Sequence, residues 1–360
     1  MSKPNHNHAV GVAPKAPTMK TVAELAGVSV QTVSAVINGD VRITPETTAR
    51  VRAAVKQLNY RPYSVARSLR TRRTKTIALV VSDIANPVFA SMASTAEDQA
   101  HAHGYSMVVY NTRDDLDREE SYMRTAADRW VDGVIFVSAQ DRVTSVEMLT
   151  SVGIPVVAVD RMPEDYTGPS VTLDNVKAGR MAAEHLLALG HTRIAHIAGP
   201  LHLRLARERL EGFQQVIDAA PQATPLRLAD AGDWECASGY QAMQRLLAQA
   251  PELTAVFAAN DRLAIGAMQA VYQAGLRIPD DISFIGLDDI EVAAYQIPPL
   301  TTIRQSFAEL ARLGVQLLLE LLQGHEVAQT QIVIPPVLIQ RRSTMDYRFR
   351  DGNQSRTSQP

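Results

Sequence analysis

The pattern of apolar and polar positions changes character near residue 75. Up to there, apolar residues recur three and four apart in short blocks, the spacing of amphipathic helices. Thr21-Val22-Ala23-Glu24 has the form of a capping box and predicts a helix start, with Gly27 as the left-handed residue that ends the helix. Ser29 predicts a second cap, for SVQTVSAVIN, in which Val33, Val36 and Ile37 share one face. Thr44-Pro45 opens a third helix, PETTARVRAAVKQLNY, with Val51, Ala54, Val55 and Leu58 at helical spacing. From Lys75 onward, strand-length apolar runs alternate with helical blocks: TIALVVS, a helix from about Val88 to His103, YSMVVYN, a helix from about Asp117 to Trp130, VDGVIFVS and PVVAVD. This alternation predicts βαβ units, hence a parallel sheet with helices on both faces. It restarts after Val171-Thr172-Leu173-Asp174 with AGRMAAEHLLAL, RIAHIAG, ARERLEGFQQVI, a short strand near Leu226, WECASGYQAMQRLLA, TAVFAA, DRLAIGAMQAVYQAG and ISFIGLDD. Two like halves predict two similar subdomains with a cleft between them. LTTIRQSFAELARLGVQLLLELL predicts a strand or crossover and an amphipathic helix, and VIPPVLIQRRST closes the body. The polar residues after Thr344 are expected to be disordered.

Composition narrows the classes. A chain of 360 residues, 46% hydrophobic, is too long for one ordinary domain and apolar enough for two or three cores. Its single cysteine, Cys236, excludes an internal disulfide framework and a Cys-rich zinc module. No run of about 18 apolar residues predicts a membrane span. The first seventeen residues, MSKPNHNHAVGVAPKAP, lack the apolar core of a signal peptide and predict a disordered tail on a cytoplasmic protein. The net charge of −2 conceals an asymmetry. Residues 18–75 hold eleven Lys or Arg and three acids, a surplus of eight positive charges. With Lys3 and Lys15 counted, residues 76–360 carry −12. A basic head on an acidic body suggests that the head meets a polyanion. Solvated basic helices would give the same charge, so the residue pattern has to decide.

A short helix, a glycine turn and a second helix with small residues outward is a helix-turn-helix layout. The outward set is Ser29, Val30, Gln31, Ser34 and Ala35, the residues that can enter a major groove. TVAELAGVSVQTVSAVIN, followed by LNYRPYSVARSLR, resembles the DNA-binding head and hinge of the lactose-repressor (LacI/GalR) family. The resemblance implies that Val30, Gln31 and Ala35 read bases and that Thr18, Ser29, Thr32, Asn38 and Tyr60 hold the DNA backbone. It further implies that Leu69 wedges into the minor groove. Gln31 can pair with the N6 and N7 edge of adenine, and Val30 offers only methyl contact. Ala35 departs from the larger polar residue frequent there in the family, leaving its base pair to shape or to no readout. Val30 and Ala35 also fit plain helix surface. The hinge SVARSLR is too short to be a stable helix alone. Paired across a dimer axis in a minor groove, it can fold and drive Leu69 between base steps, with Ala66 small enough for close approach. Arg67, Arg70, Arg72 and Arg73 would neutralise phosphates; a basic linker is the plainer reading, and the two are compatible.

The body resembles the periplasmic-binding-protein-like effector domain of the same family in VSDIANPVF, VDGVIF, LGHTRIAHIAGP, ARERLEGF, AANDRLAIGAMQA, DDISFIGLDDIE and PPLTTIRQSF. With the head, the resemblance runs from about Thr18 to Thr344. It implies an α/β protein: a small all-α helix-turn-helix head plus two doubly wound parallel-sheet subdomains. The implied organisation is a tail over 1–17, the head over 18–62, hinge and linker over 63–75, an effector-binding and dimerisation domain over 76–343, and a tail over 344–360. The N-subdomain takes about 76–174 and 305–329, and the C-subdomain about 175–304 and 330–343. The chain is expected to cross between them near Asp174, Arg304 and Gln329.

Ligands of open α/β sheets bind beyond the carboxyl ends of the strands, so strand-end residues are the effector candidates. Asp83 and Asn86 follow the first strand, Asp160 the fourth, Asn260 follows TAVFAA and Asp288 follows ISFIG. Arg209, early in ARERLEGF, and Gln305 join them. Carboxylates, amides and a guanidinium suit a neutral polyhydroxy ligand, since each can bind neighbouring hydroxyls. Trp234, with Phe89 opposite, can stack on the apolar face of a sugar ring. GDWECASGYQ resembles a sugar-site stretch of the family and favours a sugar over a purine. The plainer readings are a packing role for Trp234 and a strand-end turn with a helix cap for Asp288-Asp289.

Enzyme motifs are absent: there is no G-x-S-x-G elbow, G-x-x-x-x-G-K-[ST] phosphate loop or G-x-G-x-x-G fingerprint. His6-Asn7-His8 sits in the tail, and His101 and His103 point apart on a helix. No catalytic residue, metal or cofactor is expected. The expected protein is a homodimeric transcriptional regulator, a repressor, located in the cytoplasm at the nucleoid. Its expected partners are a double-stranded, pseudo-palindromic DNA operator and a small-molecule effector, a sugar, bound in the cleft; no membrane is involved. The tail MDYRFRDGNQSRTSQP has no leucine heptads to make tetramers. A carbohydrate-binding transport component is the alternative; it would share the body but needs export and has no use for a basic head.

Overall fold

The computed structural model describes residues 17–60, 73–139, 144–224, 227–325, 327 and 329–349. The chain divides into two compact units that part between Thr74 and Lys75. The first unit holds α1 (Met19–Ala26), α2 (Val30–Ile37) and α3 (Pro45–Gln57). Ser29 and Thr44 cap α2 and α3 as expected, with Pro45 at the first position of α3. The cap of α1 lies one turn earlier than the sequence suggests. Thr18 accepts from Thr21 N and donates its own N–H to Thr21 Oγ1 at 2.8 Å. A threonine at the third position thus does what Glu24 was expected to do, and Glu24 stays exposed. Gly27 ends α1 at φ 65°, the left-handed conformation anticipated for it. Val22, Ala23, Val33, Val51, Ala54 and Tyr60 form the core of this unit.

The second unit carries two six-stranded sheets. The first is built from β1 (Thr76–Val81), β2 (Ser106–Asn111), β3 (Gly133–Phe136), β4 (Val156–Val159), β5 (Ser170–Leu173) and β11 (Gln331–Ile334), in the order β11-β5-β4-β3-β1-β2. The second takes β6 (Ile194–Ala198), β7 (Arg227–Asp230), β8 (Ala255–Ala258), β9 (Ser283–Asp288), β10 (Thr301–Arg304) and β12 (Val337–Ile339), in the order β12-β10-β9-β8-β6-β7. All pairings are parallel except β12 against β10. Both sheets are doubly wound. In β1, Ile77, Leu79 and Val81 pack on α4 (Pro87–Ala102) and α11 (Phe307–Gln323), whereas Ala78 and Val80 pack on α5 (Leu116–Thr125) and α6 (Thr144–Ser151). In β6, Ile194 faces α7 (Asn175–Ala188) and α8 (Arg204–Asp218), while Ala195 and Ile197 face α9 (Cys236–Gln249) and α10 (Asp261–Gln273). Strand runs apolar on both faces are what this sandwiching requires.

Three details depart from expectation. Helix α6 was not anticipated, although Val146 and Leu149 are buried on it at helical spacing. The third crossing falls at Pro335-Pro336 rather than near Gln329, because Gln331–Ile334 first pair with β5 in the first sheet. Two successive prolines have no N–H to extend that ladder, and β12 then joins the second sheet. The polar tail does not begin at residue 344. Tyr347 N donates to Leu189 O at 2.8 Å, His191 Nε2 meets Met345 O at 3.1 Å, and Arg193 reaches the Tyr347 hydroxyl at 2.5 Å.

Candidate functional site

In the head, the surface expected to read bases is made by the start of α2. The Ser29 hydroxyl accepts from Thr32 N at 3.1 Å and lies 2.9 Å from the Thr32 hydroxyl, which fixes the entry to the helix. Val30, 44% exposed, and Gln31 point outward, with Ser34 and Ala35 half-buried beside them. Thr18 and Asn38 are exposed; the Asn38 amide donates to Ser34 O at 2.7 Å. Tyr60, to which the resemblance gives a DNA-backbone role, is only 6% exposed. Asn59, at φ 46°, turns the chain back so that Tyr60 N reaches Val55 O, and the ring closes the head core. Ala66 and Leu69 lie outside the described residues.

The cleft candidates sit where the strands end, and helix packing brings them together. Gly179 on α7 and Gly212 on α8 lie so close to the opposing backbone that a Cβ on either would overlap a carbonyl, of Arg209 and of Val176 respectively. This contact sets Arg209 beside Asn175, the first residue of α7. Arg209 Nε donates to Asn175 Oδ1 at 2.9 Å, Nη1 to Ala259 O at 2.7 Å and Nη2 to Gln305 Oε1 at 3.2 Å. The Gln305 amide in turn donates to Asp160 Oδ1. Asp160 ends β4 at φ 65° and Asp288 ends β9 at φ 116°, left-handed conformations that cost a non-glycine residue. Burial pushes the carboxyls of Asp160 and Asp288 up, that of Asp288 strongly; Arg161 and then Arg209 oppose the shift at Asp160, and Arg209 and then Arg161 that at Asp288. Burial also lowers Arg209, against the pull of Asp288 and then Asp160. Two guanidiniums, Arg209 and Arg161, thus compensate two buried carboxyls.

Four of the remaining five candidates line a cavity of about 220 Å³: Asp83, Asn86, Phe89 and Trp234. The Arg209 guanidinium lies 5.6 Å from the Trp234 ring centre, joining this cavity to the buried network. The buried indole Nε1 of Trp234 has no hydrogen-bond partner. Asn86 and Asn260 are committed locally. Asn86 caps α4 through Val88 N, and Asn260 caps α10 through Leu263 N while its amide donates to Trp234 O. Asp288 and Gln305 border a separate cavity of about 340 Å³ at the starts of α4 and α11. The nine candidates therefore form one neighbourhood but not one open pocket. Four residues went unnamed in the sequence reading. Asn175 and Ser82 are buried polar residues here, the Ser82 hydroxyl without a partner. Arg161 pairs with Asp114 at 2.6 Å. The strand-end rule that selected Asp160 would have selected Arg161 next to it; nothing local marks Asn175. Among the described residues, no group of three or more His, Cys, Asp or Glu is placed to hold a metal ion. No described helix is long and apolar enough to cross a membrane.

Comparison with known proteins places both units. The family of bacterial regulatory proteins of the lacI type matches residues 18–63, and the periplasmic binding protein-like domain matches residues 183–344. The chain is 38% identical to the ribose operon repressor of Escherichia coli (strain K12) over 327 residues, 91% of this chain and 99% of that one. It is 37% identical to the HTH-type transcriptional repressor PurR of Haemophilus influenzae (strain PittEE) over 330 residues, 91% of this chain and 98% of that one. Among solved structures, the lac repressor dimer bound to operator and the anti-inducer ONPF superposes with a TM-score of 0.82 at 33% identity, covering 92% of this chain and all of that one. A LacI-family transcriptional regulator from Enterococcus faecium with bound ribose gives a TM-score of 0.69 at 31% identity, over 75% of this chain and 99% of that one.

Proposed function

The chain belongs to the lacI family of bacterial regulatory proteins and is a DNA-binding transcriptional regulator, and we propose that it represses its targets as a homodimer until a neutral sugar enters the cleft of the second unit. Residues 18–62 act as the DNA-binding domain and 63–75 as the hinge. Two heads take half-sites of a pseudo-palindrome about one helical turn apart. Gln31 and Val30 read base edges, Ala35 leaves its position to shape, and Thr18, Ser29, Thr32, Asn38 and Tyr60 hold phosphates. Leu69 and Ala66 of paired hinges enter the central minor groove.

The observation that carries the effector reading is the buried chain Asp160–Gln305–Arg209–Asn175, with the unpartnered Trp234 indole beside it. It runs from a strand of the first sheet, through a crossing residue, to a helix of the second subdomain. A ligand hydroxyl that accepts from Arg209 or donates to Asp160 replaces Gln305 and so acts on both subdomains at once. A ring against Trp234 and Phe89 gives that indole N–H an acceptor. The effector must bind the DNA-competent and DNA-free states with different affinity to change the one for the other. The protein needs no chemistry of its own for this, which fits a non-enzymatic regulator.

The test is selection of genomic fragments by the purified full chain at near-physiological salt, followed by release with a panel of sugars. An enriched palindrome released by a sugar supports the reading. Binding that requires an added ligand reverses the direction of control. Salt-sensitive binding without an enriched site sinks sequence-specific regulation.

A further inference from the structure

Arg161 is not a link of the hydrogen-bonded chain just described, although its charge opposes the raised Asp160 carboxyl; it is 5% exposed and fixed on three sides. Its Nη1 donates to Asp114 at 2.6 Å. Its guanidinium carbon lies 5.6 Å from the Phe89 ring centre and 5.8 Å from the Trp234 ring centre. It therefore lies against both of the aromatic residues expected to hold a sugar ring. Among the described lining residues it is also the one shared by two cavities. In front is the cavity of about 220 Å³ with Phe89 and Trp234. Behind is one of about 170 Å³ by the first crossing, bordered by Asp174, Asn175, Arg204 and Glu208. Each is smaller than the roughly 300–1,000 Å³ of sites for drug-sized ligands, and together they reach that range.

We propose that Arg161 is a partition that limits the effector site to a single-ring sugar, with Asp114 as the latch that holds it. The inference rests on the sugar reading given above. A one-ring ligand fits the front cavity with the partition in place, and the guanidinium offers it two parallel donors. A two-ring ligand must swing Arg161 aside, breaking its ion pair and its contact with both rings. The rear cavity already supplies carboxylate, amide and guanidinium partners for the hydroxyls of a second ring. The third cavity, bordered by Asp288 and Gln305, is no equivalent route. Pro87 and Val88 line it while Asn86 and Phe89 line the front cavity, so the backbone of α4 itself separates the two. A side chain can swing aside; a helix start cannot.

Calorimetric titration of the full chain with pentoses, hexoses and the disaccharides cellobiose, maltose and lactose tests this. The wild-type protein is expected to bind at least one monosaccharide and every disaccharide at least about tenfold more weakly. Arg161→Ala should erase or invert that preference. Asp114→Ala removes only the latch on a half-exposed residue, and should reduce the preference by about tenfold, which keeps the test decisive if Arg161→Ala does not fold. Equal wild-type affinity for one and two rings, or an unchanged ratio in the folded variants, overturns the partition while leaving the sugar reading intact. If no sugar binds wild type or variant, the sugar reading fails and the partition fails with it.

Discussion

The head and the cleft solve the problem of presenting specific side chains in opposite ways. In the head, the DNA-facing residues sit on the outside of one helix and are fixed by neighbours three or four positions away, as Thr32 is by Ser29 and Asn38 by Ser34. In the cleft, Arg209 holds residues 34, 50 and 96 positions distant and is itself buried. Specificity in the head is therefore separable from folding. Specificity in the cleft is part of what holds the second unit together.

The strongest way to break this contrast is Arg209→Ala. The substitution leaves Asp160 and Asp288 buried with only Arg161 to compensate them and strips Asn175 and Gln305 of a donor. Removing one partner of a buried pair costs about 3–5 kcal/mol. Thermal unfolding should show the second unit destabilised by that order, with the response to any effector lost. A loss below about 1 kcal/mol would mean that water already compensates the two carboxyls and that the site is open rather than built in. Next in size is Gly212→Ala, which touches no candidate residue. Its Cβ would overlap the Val176 carbonyl and force α7 and α8 apart. Overpacking of this kind costs about 1–3 kcal/mol. Effector affinity should fall with stability, because the same contact sets Arg209 against Asn175.

The contrast also explains what the sequence could reveal. The three head helices, their glycine turn and two of their three caps were legible because each signal lies within a few residues of its effect. The α1 cap was placed one turn late because Thr21 can serve either as a cap or as the partner of one, and only the structure shows Thr18 holding it. In the second unit, the order of strands and helices was legible from apolar runs. The partners of those elements were not. Nothing near Asn175 announces Arg209, and nothing in Gln331–Ile334 announces β5 as its neighbour.

A third test compares carboxyls. In the head, Asp40 is half-buried, and its hydrogen bonds to Arg42 lower its pKa to about 2. In the second unit, Asp261 is buried, accepts from Thr302 Oγ1 and Ile290 N, and is pushed up to about 7 by burial. A carboxyl lowered in the folded state contributes stability at neutral pH that is lost as pH falls through its folded value. One raised in the folded state does the reverse: its contribution is complete below about 3.9, the unfolded value, and is lost as pH rises through about 7. The slope for Asp261 is at most about 1.4 kcal/mol per pH unit. Asp261→Asn should flatten the decline in stability between pH 4 and 7 seen in wild type by chemical denaturation. An unchanged pH profile would show that Asp261 ionises freely and that the second unit is wetter than its burial implies.

The smallest effect on folding is expected from Gln31→Ala, and it sharpens the contrast most. Gln31 is exposed at the start of α2 and makes no hydrogen bond that holds the helix, whose entry is fixed by Ser29 and Thr32. Stability should stay within about 0.5 kcal/mol of wild type. Operator binding should nevertheless weaken by about 1–3 kcal/mol, and at one base-pair position only, because a bidentate amide is lost there. Selection of binding sites by wild type and variant, followed by melting of each protein, reads both quantities. Uniform weakening across all positions would move Gln31 from reading bases to holding phosphate. A melting change as large as that of Gly212→Ala would mean that the head, like the cleft, cannot change what it recognises without changing how it folds.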